Sequence, residues 1–100
     1  MADDALSGEG SIRLDKWLVH ARVFKTRGLA AARIEGGGVR VNGQPGRKPG
    51  RTIRPGDQVT VSIGGRIRAL RMIAAGVRRG PPSEAQTLYE DLSEPEPPEA

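Results

Sequence analysis

Hydrophobic positions near the start of the chain repeat at the spacing of an α-helix. Four residues fall at i, i+3, i+4 and i+7 and form one apolar stripe, namely Leu14, Trp17, Leu18 and Ala21. The neighbouring basic residues fall off that stripe. The pattern therefore predicts a first helix over residues 14–21, with its apolar side against a core and its basic side in solvent.

A second helical segment follows after a short basic step. Thr26 is a suitable N-cap, because its side-chain oxygen accepts a hydrogen bond from an amide two or three residues later. The segment from Thr26 to Glu35 is predicted to be helical, and the glycine run at residues 36–38 supplies its end. The core candidates of this helix are Leu29, Ala30 and Ile34.

From Val39 onward the hydrophobic period changes to two, which is the period of a strand. Val39 and Val41 lead directly into Asn42-Gly43, a strong signal for a tight hairpin turn. Three further segments are predicted, namely a loop at residues 44–50, a strand at 59–63 and a strand at 66–73. The whole pattern predicts two short helices beside a small antiparallel sheet.

The two ends of the chain differ from its middle. Residues 1–10 are acidic and polar, and we expect them to be disordered. Ser83 with Gln86 fits a capping box, so residues 82–92 are predicted to form a short C-terminal helix. Residues 93–100 are rich in proline and glutamate and are expected to be a disordered acidic tail. Residues 11–81 then make up one small domain with a hairpin extension.

Charge is strongly segregated along the sequence. All 16 Lys and Arg residues lie within residues 11–81, where three acids oppose them and leave a net charge of +13. Such a surplus on so short a segment is typical of a nucleic-acid binder. A basic surface that serves solubility alone is the alternative, but it gives no reason for the two signs to be separated.

Composition argues against several other classes of protein. The chain has no cysteine, so it carries neither a disulfide nor a thiolate metal site, and we expect a cytoplasmic protein. No apolar run approaches the roughly 18 residues of a membrane span. The first ten residues lack the basic and apolar regions of a signal peptide.

Three residues allow a chemical role beside a structural one. Trp17 offers a ring for base stacking, but its place in the apolar stripe favours core packing. His20 is the single histidine and has no evident partner, so a structural or surface role is favoured over catalysis. Asp15 is interpreted as a partner that orders neighbouring arginines, not as a general base. We therefore expect no enzymatic activity, no metal and no cofactor.

The motifs of residues 13–57 also match a known pattern in order and spacing. They are Arg13-Leu14-Asp15-Lys16, Lys25-Thr26-Arg27, Ile34-Glu35-Gly36-Gly37, Val39-Arg40-Val41-Asn42-Gly43, Lys48-Pro49 and Pro55-Gly56-Asp57. With these motifs the chain resembles the ribosomal S-four RNA-binding domain, also called the alpha-L motif. The resemblance implies an α+β fold in which two short helices pack on a small twisted antiparallel sheet.

Further motifs make the resemblance more particular. They are Leu14-Asp15-Lys16-Trp17-Leu18, Phe24-Lys25-Thr26-Arg27, Arg78-Arg79, Ser83-Glu84-Ala85 and Leu88-Tyr89-Glu90. They are similar to the family of the bacterial fifteen-kilodalton heat-shock protein. This implies a monomeric, ribosome-associated stress factor that binds ribosomal RNA and acts on free large subunits carrying a nascent chain on transfer RNA. An RNA-binding adaptor for transfer RNA or messenger RNA is the alternative.

Helix starts and basic residues define the candidate RNA-binding site. Helix starts offer unpaired amides and partial positive charge, which suit phosphate, and arginine grips phosphate oxygens with two hydrogen bonds. The resemblance implies a helical face of Arg13, Lys16, Arg22, Lys25, Thr26, Arg27 and Arg33, joined at the hairpin and its loop by Arg40, Asn42, Lys48 and Arg51. For Arg22 and Arg33, a merely solvated side chain is the alternative. Five later arginines either extend this surface or keep the hairpin soluble: Arg66, Arg68, Arg71, Arg78 and Arg79.

Overall fold

The computed structural model describes residues 10–93 and has the predicted α+β architecture. Its elements in chain order are β1 (Ile12–Arg13), α1 (Leu14–His20), α2 (Arg27–Glu35), β2 (Val39–Val41), β3 (Gln44–Pro45), β4 (Thr52–Ile53), β5 (Gln58–Ile63), β6 (Arg66–Met72), α3 (Pro82–Ala85), a 3-10 turn (Gln86–Leu88) and β7 (Tyr89–Asp91). Residues 1–9 and 94–100, which hold most of the two predicted acidic ends, lie outside the described residues.

Both predicted helices are confirmed almost to the residue. α1 ends with Ala21 as its C-cap, and α2 begins directly after Thr26. The Thr26 hydroxyl accepts a hydrogen bond from the Leu29 amide at 3.1 Å, which is the predicted N-cap. Beyond the end of α2, Gly37 has a φ of +90°, a backbone conformation that glycine adopts without the cost a β-carbon would bring.

The main sheet is antiparallel, with strand order β3-β2-β5-β6-β7, and β1 pairs separately with β4. Asn42 and Gly43 have φ values of 53° and 83°, as a type I′ hairpin turn requires. This turn folds Gln44 and Pro45 back against Arg40 and Val41 as β3. The prediction of a loop at residues 44–50 is therefore wrong for Gln44 and Pro45, which form a strand.

One cluster of buried side chains joins both helices to the sheet. Its fully buried members are Leu14, Trp17, Leu18, Ala30, Ile34, Val39, Val41, Ile53, Val59, Val61, Leu70 and Met72. The predicted packing of Trp17 is thus confirmed. Leu29 was expected in this core but is 55% exposed, because it lies about 100° around the helix from Ala30 and away from the buried stripe.

Two side chains of α1 contact the backbone of Ala74 and Ala75, just after β6. The Trp17 indole donates a hydrogen bond to the Ala74 carbonyl at 2.9 Å, and His20 Nδ1 lies 3.1 Å from the Ala75 carbonyl. Of the two roles left open for His20, structural or surface, the structure shows the structural one, because the side chain is buried. These hydrogen bonds hold the connection between β6 and the C-terminal elements against α1.

The C-terminal helix is shorter than the predicted range of residues 82–92. α3 begins at Pro82, its N-cap Pro81 makes no side-chain cap, and the predicted capping box at Ser83 is absent. After the 3-10 turn the chain forms β7, whose Tyr89 pairs with Met72 on β6. The prediction is wrong there because strand pairing satisfies the backbone of β6, which is a tertiary effect that no local pattern reveals.

Candidate nucleic-acid interface

Asp15 joins the starts of the two helices. Its carboxylate is 3% exposed and accepts hydrogen bonds from Arg13 Nε at 3.1 Å and Nη2 at 3.0 Å, and it lies 3.6 Å from Arg27 Nη2. Burial raises the pKa of the Asp15 carboxyl, but the hydrogen bond from Arg13 and the charges of both arginines outweigh it and hold the pKa below its ordinary value. One buried anion thus positions two half-exposed guanidinium groups, as predicted.

The backbone amides at the start of α1 are occupied. The Leu14 amide donates to the Arg51 carbonyl at 2.8 Å, and the Asp15 amide donates to the Pro49 carbonyl at 3.0 Å. The expectation that this helix start offers free amides to phosphate is therefore wrong, because the loop after β3 provides the acceptors. The first turn of α1 contributes to a binding surface only through side chains.

The start of α2 is different. The Thr26 side chain caps the Leu29 amide, while within residues 10–93 no acceptor stands in hydrogen-bonding geometry to the amides of Arg27 and Gly28. Both residues are exposed, as are Lys25 and Thr26. Two free amides, two cationic side chains and the positive end of the helix dipole make this start suitable for a phosphate oxygen.

The loop that covers the start of α1 is itself basic. It borders a depression of about 420 Å³ that is lined by Pro45, Gly46, Arg47, Lys48 and Arg51. The Arg13 guanidinium lies against Gly50 in this loop, where a β-carbon would stand 3.5 Å from its Cζ. The loop that lines the depression therefore also contacts Arg13, one of the two paired arginines.

Arg47 was not among the predicted site residues. Its guanidinium lies against Gly37, where a β-carbon would stand 3.1 Å from Nη2. The adjacent basic pair Arg47-Lys48 in a glycine-rich loop is visible in the sequence. The contact of Arg47 with Gly37 is not, because it depends on how this loop packs after folding. Arg47 thus connects the loop to the glycine turn after α2.

Arg33 and Arg40 extend the surface beyond that turn. The aliphatic stem of Arg33 packs directly on Gly38, which leaves no room there for a β-carbon. Arg40 is exposed on β2 and borders a smaller depression together with Gly37 and Gly38. We use the term cationic surface for the set Arg13, Lys16, Lys25, Thr26, Arg27, Arg33, Arg40, Arg47, Lys48 and Arg51, all exposed.

Two predicted site residues form hydrogen bonds to other parts of the fold. Arg22 lies between the helices with a φ of 63° and donates a hydrogen bond to the Gly80 carbonyl at 2.7 Å. The Asn42 amide group donates to Asp57 Oδ1 at 3.2 Å, and its oxygen accepts from the Gln58 amide at 3.0 Å. Because these polar groups tie segments of the fold together, we leave Arg22 and Asn42 out of the cationic surface.

Among the later arginines, Arg68, Arg71 and Arg78 form ion pairs with the described part of the C-terminal segment. The pairs are Arg68–Asp91 at 3.6 Å, Arg71–Glu90 at 2.8 Å and Arg78–Glu84 at 2.8 Å. The hydrogen bond from Arg78 also holds the pKa of the Glu84 carboxyl below its ordinary value. These pairs neutralise two arginines of β6 and one in the segment that follows it. They favour a structural role for the three arginines over an extension of the binding surface.

Residues 10–93 contain no group of three or more His, Asp or Glu side chains placed to hold a metal ion. In the same part of the chain, no helix is long and apolar enough to cross a membrane. The chemistry that the cationic surface does offer is multiple guanidinium and ammonium donors around one exposed helix start.

Comparison with known proteins places this geometry in a family. Residues 12–59 match the model of the S4 domain. The chain is 43% identical over 83 residues to heat shock protein 15 of Escherichia coli (strain K12), a match that covers 83% of this chain and 62% of that protein. It is 35% identical over 81 residues to the RQC P-site tRNA stabilizing factor of Halalkalibacterium halodurans, covering 79% of this chain and 88% of that protein.

A solved structure agrees in fold as well as in sequence. The trimeric structure of Vibrio cholerae heat shock protein 15 matches with a TM-score of 0.77 at 38% identity, covering 83% of each chain. The present chain spans about 60% of the length of the curated heat shock protein 15 relatives that it matches. By sequence and by structure, the chain belongs to the heat shock protein 15 family of S4-domain proteins.

Proposed function

We propose that this chain is a non-catalytic RNA-binding protein that docks on structured ribosomal RNA through the cationic surface. The observation that carries the proposal is the pairing of Arg13 and Arg27 on the buried carboxylate of Asp15. A solvated arginine loses side-chain entropy when it binds phosphate, whereas these two guanidinium groups are already positioned. Membership of the S4-domain family supports the same function.

The mode of binding that we propose is recognition of backbone shape. The cationic surface combines side chains on two helices, on β2 and on a loop that is hydrogen-bonded to α1, so the spacing of its charges is fixed by the fold. Fixed phosphate contacts position a protein on folded RNA without reading a sequence. If five to seven phosphates are contacted, the logarithm of affinity falls with the logarithm of salt with a slope of roughly −4 to −6.

We further propose that the target lies on free large ribosomal subunits that carry a nascent chain on transfer RNA, and that the chain acts in their recycling or rescue under stress. The similarity to heat shock protein 15 supports this, as does the similarity to a protein named for stabilizing P-site tRNA. A cytoplasmic location follows from such a target.

We propose a monomer, because the described residues of one chain complete the cationic surface by themselves. The related Vibrio cholerae protein was solved as a trimer, so the proposal has a definite alternative. Light scattering on the purified chain distinguishes the two: a mass near 10.7 kDa supports a monomer, and a threefold mass contradicts it.

Co-sedimentation through a ribosome gradient, with and without translational stalling, tests the ribosomal proposal. We expect the wild type in the free large-subunit fraction, in an amount that rises after stalling. The double variant Lys25→Gln/Arg27→Gln should leave that fraction. The double variant Arg71→Gln/Arg78→Gln removes the same charge from residues outside the cationic surface and should remain in it.

Two results of that experiment would contradict the proposal. Equal loss of both double variants would mean that net charge, and not the cationic surface, determines binding. Absence of the wild type from every ribosomal fraction, with binding to RNA preserved in pure solution, would favour the adaptor for transfer RNA or messenger RNA.

A further inference from the structure

An apolar depression lies beside the start of α2, within the cationic surface. It has a volume of about 300 Å³ and is lined by Phe24, Leu29, Ala32 and Arg33. Leu29 is 55% exposed, and Phe24 is only partly buried against the core. Apolar area in contact with water is unfavourable, so covering the depression with an apolar group lowers the free energy.

The charged groups around this depression point to the chemistry of its occupant. Lys25 and Arg27 follow Phe24 in the sequence, Arg33 forms one wall, and no acid occurs between Asp15 and Glu35. The free amides of Arg27 and Gly28 stand at the same helix start. A suitable ligand therefore carries a flat apolar group close to a negative charge, which describes a nucleotide and does not describe an ordinary apolar segment of a protein.

Phe24 is the aromatic residue available for such a contact. Of the three aromatic residues in the chain, Trp17 is fully buried and Tyr89 lies beneath the Arg68 guanidinium at 5.7 Å. Aromatic rings and guanidinium planes are the groups on which proteins stack unpaired bases of RNA. In this depression Phe24 and Arg33 supply one of each.

We propose that the depression between Phe24, Leu29, Ala32 and Arg33 receives an unpaired base of the bound RNA, with the adjoining phosphate at the start of α2. This proposal rests on the proposed RNA binding and adds to it a contact that does not depend on charge. The base covers Leu29 and Ala32, while Lys25 and the amides of Arg27 and Gly28 bind the phosphate. The protein thereby favours RNA with a bulged or looped nucleotide over a continuous duplex.

The variant Leu29→Gln tests this contact without changing charge. Leucine and glutamine have similar helix propensities, and the Leu29 amide keeps its hydrogen bond to Thr26. Val77→Gln is the matched control, because Val77 is 89% exposed and lies outside the cationic surface. We expect Leu29→Gln to weaken binding to purified large-subunit ribosomal RNA about tenfold with an unchanged salt slope, and Val77→Gln to bind as the wild type does.

Photocrosslinking locates the base directly. Large-subunit RNA transcribed with 4-thiouridine should crosslink to the tryptic peptide of residues 28–33, which contains Leu29 and Ala32. Wild-type affinity of Leu29→Gln together with no crosslink in this peptide would overturn the proposal. Full affinity of Leu29→Gln for naked RNA with loss of ribosome binding would also overturn it, and would assign the depression to a protein. Failure of the wild type to bind RNA would instead defeat the proposed function itself.

Discussion

At the scale of single residues, the chemistry of the cationic surface centres on Asp15. An aspartate beside Arg13 in a basic motif is evident from the sequence, and its role as a partner for arginine followed from that. The sequence could not reveal that the same carboxylate also lies 3.6 Å from Arg27, on the other helix. Nor could it reveal that Arg22 and Asn42, which the resemblance assigned to the RNA-binding site, use their polar groups in hydrogen bonds to Gly80, Asp57 and Gln58.

Asp15→Asn should destabilise the protein in a pH-dependent way. The folded-state pKa of Asp15 lies below its ordinary value, so its contribution is present above the unfolded pKa and is lost as the pH falls through the folded pKa. We expect a loss of about 1–3 kcal/mol in the free energy of unfolding at pH 7, measured by urea denaturation. The gap between wild type and variant should narrow as the pH falls below about 4, the ordinary pKa of an aspartate carboxyl. A gap that stays constant across that range would contradict the charged pairing.

At the scale of elements, local signals predicted what local interactions determine. The N-cap at Thr26 and the Asn-Gly turn were readable because each acts within a few residues. The packing of the loop on the start of α1 and the pairing of β7 could not be predicted from local patterns. The Leu14 amide contacts the Arg51 carbonyl, and Tyr89 pairs with Met72, only after the chain has folded. Arg47 escaped prediction for the same reason, since its position against Gly37 depends on that loop.

Thr26→Ala should remove the cap of the helix that carries the proposed phosphate site. The Leu29 amide loses its acceptor, and we expect the free energy of unfolding to fall by about 1 kcal/mol. Thr26→Ser keeps a hydroxyl at the same position and should restore most of that stability. Equal unfolding midpoints for the alanine variant and the wild type would show that this cap does not stabilise the fold.

At the scale of the whole molecule, the structure distributes charge more unevenly than the sequence indicates. The +13 of residues 11–81 is partly neutralised, because the segment after Pro81 returns three acids to Arg68, Arg71 and Arg78. The surplus that remains is concentrated on the cationic surface. A polyanion is therefore attracted to one face of the protein, which orients it before close contacts form.

Neutralising those three acids should make RNA binding less selective. In the triple variant Glu84→Gln/Glu90→Gln/Asp91→Asn, three arginines lose their partners, while stability changes little because exposed ion pairs contribute little. We expect binding to polyuridine at low salt to strengthen several-fold, with a steeper salt dependence. The variant Glu35→Gln, which removes an exposed acid on α2, is the control. Unchanged binding to polyuridine would mean that the C-terminal segment does not limit where RNA binds.

If RNA binds through the cationic surface at the helix starts, the salt dependence of binding must change when residues of that surface are neutralised. Affinity for large-subunit ribosomal RNA should be measured between low and moderate salt for the wild type and for the two charge-matched double variants. The slope should be roughly −4 to −6 for the wild type, should become shallower by about two for Lys25→Gln/Arg27→Gln, and should stay unchanged for Arg71→Gln/Arg78→Gln. An equal change of slope in both double variants would contradict binding through the cationic surface.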